Sequence, residues 1–200
     1  ERLKYDSSVL RDRMGIIQNL NNDDFDVFII VSSEEQLFFK SAKGNYAKEF
    51  FHNNKECFIF LPNSIQDSSK IIEFLNLDII VYCEIGMDFK TYLLSYQKLA
   101  PIQINTWGHS ETSGIDSIDY FISSKYYEIE DAQQYYSEKV ICFQSLSTYY
   151  QDFQYIDDKQ FDIREKYGFS EHDNIICCLQ ASFKISDFMD QIFDSLLKNP

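Results

Sequence analysis

Short, nearly continuous apolar runs alternate along this chain with stretches of helical period. That alternation constrains the fold more than any other feature. The runs mark strands over 25–32 (containing VFIIV), 56–61 (ECFIFL), 78–82 (DIIVY), 102–107, 118–124 (IDYFISS) and 139–143 (KVICF). Between them the spacing of apolar residues predicts helices over 8–20, 34–53 with a break at Gly44, 65–75, 88–98 and 130–136. Strands without polar alternation are buried on both faces, and strands separated by helices pair in parallel. The expected class is therefore α/β, a doubly wound parallel sheet. Short connections suit right-handed crossovers.

The pattern changes after 143. Residues 144–158 are aromatic and polar without a period, as in a connector. A short helix over 161–167 ends at Gly168, a residue suited to a helix C-terminus. A buried strand is expected over 174–179 (NIICCL), then an amphipathic helix over 186–197 with Ser186 as its N-cap. One β-α unit cannot bury its own faces. The organisation expected is an N-terminal domain over 1–150 lacking its first strand, a connector over 151–172, and the truncated start of a second domain over 173–200. The chain is read as a piece of a longer protein.

Composition narrows the function classes. The 200 residues carry 32 acidic against 18 basic side chains, a net charge of −14, and 16% aromatic residues. Rings at that level exclude a disordered chain. A chain so acidic, without a basic cluster, is not expected to bind nucleic acid. No apolar run approaches the roughly 18–20 residues of a membrane span. The five cysteines form no CxxC pair, and no Asn-x-Ser/Thr sequon is present. We expect a reducing, cytoplasmic setting.

Ligands of doubly wound sheets bind at the carboxyl ends of strands. Three segments are expected there: 83–88 (CEIGMD), 108–114 (GHSETSG) and 180–184 (QASFK). In the second, hydroxyls and backbone N–H groups between Gly108 and Gly114 suit an anion, and His109 suits a phosphate contact or proton transfer. The plainer reading is a loop whose glycines and serines serve turn geometry. Lys184, just before a helix, suits a phosphate or is simply a solvated surface lysine. Glu84 and Asp88 read as a turn acid and an N-cap in preference to an acid/base pair. His52 and His172 read as surface residues, and the tyrosine pairs as packing. No GxGxxG, Walker A, HExxH or GxSxG motif occurs.

The order Ile85-Gly86-Met87-Asp88, Leu99-Ala100-Pro101-Ile102-Gln103, Trp107-Gly108-His109, Thr112-Ser113-Gly114, Asp119-Tyr120-Phe121-Ile122-Ser123-Ser124 and Tyr136-Ser137-Glu138-Lys139 resembles the catalytic region of the O-GlcNAc transferase/SPINDLY family, glycosyltransferase family 41. Arg164, Tyr167-Gly168 and Phe183-Lys184-Ile185 resemble the opening of that family's second lobe. The resemblance implies a GT-B architecture, with two Rossmann-like lobes facing a cleft. It also implies an inverting, metal-independent transfer from a UDP-sugar, N-acetylglucosamine or a hexose, to a protein or peptide side chain, without further cofactor. Lys184 matches the pyrophosphate-contacting lysine. His109, the catalytic candidate, and Thr112, Ser113 and Gly114 match the loop facing the cleft. Gly86 falls in a matching motif, and Gln180 lies where a polar residue approaches the nucleotide. Two positions depart from the family: Ser110 stands where proline is common, followed by Glu111, and Ser7 where a histidine is common. These departures keep open an alternative, a catalytically degenerate GT-B-like interaction module. The 200 residues by themselves are expected to be inactive.

Overall fold

A computed structural model describes residues 8–21, 23–35, 46–106, 108–149 and 163–198. The chain divides into two compact units, Glu1–Asp152 and Phe153–Pro200. The first holds α1 (Ser8–Asn19), β1 (Ile29–Val31), α2 (Tyr46–Asn53), β2 (Phe58–Phe60), α3 (Ile65–Phe74), β3 (Ile79–Tyr82), α4 (Phe89–Ser95), β4 (Ile102–Thr106), β5 (Tyr120–Ser124) and β6 (Lys139–Phe143). Every strand pairing is parallel. The fold is a Rossmann-like α/β fold, the class expected from the alternation.

The ladders form two sheets, β1-β2 and β3-β4-β5-β6. Strands β1 and β2 are both shorter than the apolar runs around them and pair over three residues, Ile29–Val31 with Phe58–Phe60. Phe25 and Phe28 thus lie outside the ladder and are exposed. Of the long helix expected over 34–53, the described part is α2; residues 36–45 and Trp107 lie outside the described residues. The helix expected over 130–136 is a 3-10 turn, Ala132–Tyr135. Residues 147 and 149 of the aromatic stretch pack on α1. The Arg13 guanidinium donates to Ser147 O at 2.9 Å, and a Cβ on Gly15 would lie 2.1 Å from the Tyr149 ring.

Helix starts are set by local chemistry. Ser64 Oγ accepts from Asp67 N at 3.2 Å at the head of α3. Asp88 Oδ1 accepts from Thr91 N at 2.8 Å at the head of α4, so Asp88 is an N-cap. The Lys90 ammonium on α4 donates to the carbonyls of Ser32 and Pro62, joining the chain just beyond β1 to the chain just beyond β2.

The strands were expected to be buried on both faces, but the second sheet buries one face more fully. Ile80, Tyr82, Gln103, Asn105, Phe121 and Ser123 are buried, while Ile79 and Val81 are 46% and 50% exposed. The topology supplies the reason. Strands β3 to β6 lie in chain order, so right-handed connections between them all pass over the same face. Leu61, Ile72, Ile80, Tyr82, Leu94, Ile115 and Ile118 form the core on that side. A second cluster, Met14, Ile29, Val31, Phe50, Phe51 and Phe58, joins α1 and α2 to the small sheet.

Within the buried face sits a polar hub. Gln103 is fully buried. Its Oε1 accepts from Leu99 N at 3.0 Å and Tyr82 OH at 3.2 Å, and its Nε2 donates to Ser117 O at 2.9 Å. Asp119, ahead of β5, accepts from Gln103 N at 2.7 Å. Replacing Gln103 by Leu strips the buried Tyr82 phenol of its Gln103 acceptor, a loss of roughly 1–3 kcal/mol, and leaves the Leu99 N–H with Gln97 O alone. We predict that Gln103→Leu destabilises the protein by about 3 kcal/mol, read as a lower urea midpoint with an unchanged denaturant slope.

Candidate functional site

Two of the three segments singled out from the sequence meet. Residues 83–88 follow β3 and 108–114 follow β4, the adjacent strand. Their approach is so close that a Cβ on Gly108 would lie 1.9 Å from Cys83 O and 2.9 Å from Met87 Cε. Gly86 has φ +85°, a conformation other residues adopt only with strain. A Cβ placed there would stand 3.4 Å from the ring of His109. The imidazole thus lies against the Gly86 backbone at the carboxyl ends of β3 and β4, and it is exposed on its other side.

The second half of the same connection goes elsewhere. Thr112 Oγ1 donates to Glu138 Oε2 at 2.6 Å, and Ser113 N donates to Glu138 Oε1 at 2.8 Å. The Ser113 hydroxyl also donates to Oε1, and the Ser137 hydroxyl reaches Oε2 at 3.1 Å. Glu138, 1% exposed, immediately precedes β6. Residues 112–113 are therefore tied to the amino-terminal start of β6, away from the carboxyl ends where His109 sits. The donors that the sequence offers to a ligand anion hold a carboxylate of the protein itself. Gly114, at φ +66°, makes the turn beyond them, and Ile115 then enters the core.

Burial pushes the Glu138 carboxyl up, but the Ser113 and Thr112 hydroxyls and the Ser113 N–H outweigh it and hold the group below its ordinary value. Burial acts in the same upward sense on Asp119, where the Gln103 N–H and the Lys98 ammonium again prevail and lower it. Both residues stand in the recognised motifs, but sequence reasoning gave neither a role. The available signal was an acidic residue directly before each of two apolar strands.

The second unit is described by itself. Its first helix, α5 (Ile163–Lys166), ends as expected at Gly168: φ is +77°, and Phe169 N donates to Arg164 O at 2.8 Å. The expected buried strand over 174–179 is not formed. These residues are exposed and pair with no strand among the described residues, and without a ladder partner an apolar run gains nothing by extending. Gln180 Oε1 accepts from its neighbour Ala181 N at 3.0 Å. Lys184 closes a 3-10 turn, Ser182–Lys184, and is exposed. Helix α6 (Asp187–Lys198) follows, with Asp187 and Asp190 in its first turn. His109, Gly86, Thr112, Ser113 and Gly114 thus belong to the first unit, Gln180 and Lys184 to the second. Ser7 lies outside the described residues. Among the described residues no group of His, Cys, Asp and Glu converges as metal ligands would, and no helix is long and apolar enough to cross a membrane.

No protein-family model matches the sequence, and no curated protein matches it. Solved structures do. A mutant O-GlcNAc transferase of Thermobaculum terrenum superposes with a TM-score of 0.59 at 10% sequence identity, over 70% of this chain and 26% of that one. This is a glycosyltransferase-like α/β fold. The chain spans about a quarter of the length of that protein, and at such identity the likeness concerns the fold alone.

Three carboxyl groups held below their ordinary values, Asp88, Asp119 and Glu138, set the acid response among the described residues. A group whose folded value is lowered contributes stability fully above its unfolded value, near 3.9 for Asp and 4.3 for Glu, and the contribution disappears as pH falls through the folded value. We predict a flat urea midpoint from neutral pH to about 5 and a decline below about 4. The combined Asp119→Asn and Glu138→Gln variant should begin less stable and decline less, which chemical denaturation across that range checks.

Proposed function

We propose that this chain is part of a glycosyltransferase of the O-GlcNAc transferase type. In this reading it moves N-acetylglucosamine or a hexose from a UDP-sugar to a protein or peptide side chain, with inversion and without a metal. The observation that carries the reading is the seating of His109 on Gly86 at the ends of two adjacent parallel strands, in a fold shared with an O-GlcNAc transferase. That edge is where ligands of such sheets bind.

The acceptor oxygen attacks the anomeric carbon on the face opposite the leaving nucleotide. Its proton passes to His109 as the bond from carbon to the diphosphate oxygen breaks. The diphosphate gains negative charge in that step. Lys184 meets the charge, and Gln180 approaches the nucleotide. Thr112 and Ser113, held by Glu138, and Gly114, which turns the chain beyond them, fix the path of the chain that carries His109.

One observation favours the alternative of a degenerate interaction module: Thr112 and Ser113 turn their donors inward to Glu138. Turnover separates the two. The intact protein, incubated with UDP-N-acetylglucosamine or UDP-glucose and a peptide library, should release UDP. His109→Ala should lower the rate by about 10²–10⁴, and Lys184→Ala by about 10²–10³. Nucleotide binding without release would establish the degenerate module instead.

A further inference from the structure

The two ladders of the first unit share a layer but do not meet. Successive residues of β1 point to opposite faces. Ile29 and Val31 join the cluster of α1 and α2, while Ile30 packs with Ile80 and Tyr82 of β3 in the cluster of α3 and α4. The small sheet and the large one therefore have a face in common, and α1 and α2 lie on the side opposite α3 and α4. Yet no ladder joins β1 to β3. The direction of the hydrogen bonds shows what their inner edges offer. Leu61 N donates to Val31 O at 3.0 Å, so β1 turns Ile29 and Val31 toward β2 and the N–H and C=O of Ile30 away from it. Ile102 N donates to Asp78 O at 3.3 Å, so Ile80 and Tyr82 serve β4, and the backbone groups of Ile79 and Val81 turn away. Among the described residues no partner reaches the N–H of Ile30, Ile79 or Val81.

Natural sheets guard the edges they leave open. The outer edge of β6 is guarded: Gln133 Oε1 accepts from Val140 N at 3.0 Å, and Gln133 Nε2 donates to Glu138 O at 2.8 Å. The inner edges over Ile30 and over Ile79 and Val81 carry no such guard. Their runs, FIIV and IIVY, hold neither Lys nor Pro and have the composition of interior strands. Topology names the occupant. In the common doubly wound order the first strand of the chain lies at the centre, where the crossovers change face. Helix α1 packs over β1 beside α2, but no described strand precedes it to cross from. We propose that a strand from the segment of this protein ahead of residue 1 enters between β1 and β3, parallel to both. It joins the ladders into one sheet ordered β2, β1, the added strand, β3, β4, β5, β6. Its carboxyl end falls at the switch point beside residues 83–88, so the chain leaving it for α1 gives the site of His109 and Gly86 a further border. The proposal does not rest on the transfer reading, because none of its outcomes depends on turnover.

The test reads single amides of the intact protein by NMR. Lys139 N donates to Asp119 O, so the Cys142 N–H faces the outer edge of β6 and serves as the unpaired reference. Hydrogen exchange at Ile30, Ile79 and Val81 should be at least about 100-fold slower than at Cys142, and close to that at Ile80 and Ile104 inside the ladder. NOEs from the Ile30 and Val81 amides to neighbouring α-protons should lead to one stretch of chain ahead of residue 1. Exchange as fast as at Cys142 overturns the proposal. So do NOEs that join Ile30 directly to Val81, since the edges then pair without an added strand. NOEs to any other segment of the protein overturn it as well, and so do NOEs to a second copy in a sample mixing labelled and unlabelled protein.

Discussion

One buried carboxylate directs the long connection between β4 and β5. A parallel crossover usually returns through a helix, whose backbone satisfies itself. The described part of this connection contains no helix, so its polar groups must find partners one by one. Glu138 provides them for the middle of the path, accepting from Thr112, Ser113 and Ser137. A buried charge of this kind is tolerated only when several donors surround it, and it then admits one backbone route. That route leaves His109 at the carboxyl ends and sends Thr112 to Gly114 toward the start of β6.

The hub around Gln103 works in a similar way at the amino-terminal side of the same sheet. Its amide joins the ends of α4 and β4 to the approach to β5 through Leu99, Ser117 and Tyr82. Asp119 then fixes the start of β5 against β4 by accepting from the Gln103 N–H. Apolar packing alone tolerates exchange of one aliphatic residue for another. Directional bonds to buried backbone groups do not, so these polar residues specify register where Ile and Val only supply area.

The class of the fold was legible because alternating apolar runs and helical stretches leave few other ways to bury both. Helix starts were legible where a side chain acts on its own neighbours, as Asp88 does at α4. What escaped was everything that depends on a partner distant in sequence. Residues 174–179 have the composition of a buried strand, yet strand formation is a property of a pair. The runs at 25–32 and 56–61 likewise form strand only over the three residues at which they pair. In the candidate site, the segments at 83–88 and 108–114 were legible as strand ends, but the pairing of β3 with β4 that brings His109 onto Gly86 was not. Nor was the engagement of Thr112 and Ser113 with Glu138, since nothing in a loop of small hydroxyl residues distinguishes donors awaiting a ligand from donors already engaged.

That distinction bears on where charge can be accommodated. A diphosphate released during sugar transfer requires cations or unengaged donors close to the breaking bond. In the first unit the hydroxyls of the 112–114 turn face a carboxylate, and Glu128 adds a second negative group near Ser110. Under the transfer reading, these groups therefore suit the neutral partners of the reaction, the sugar and the acceptor. A diphosphate would have to be met by groups other than the 112–114 turn. Electrostatics alone requires this: an anionic leaving group is not stabilised beside carboxylates whose donors are already engaged.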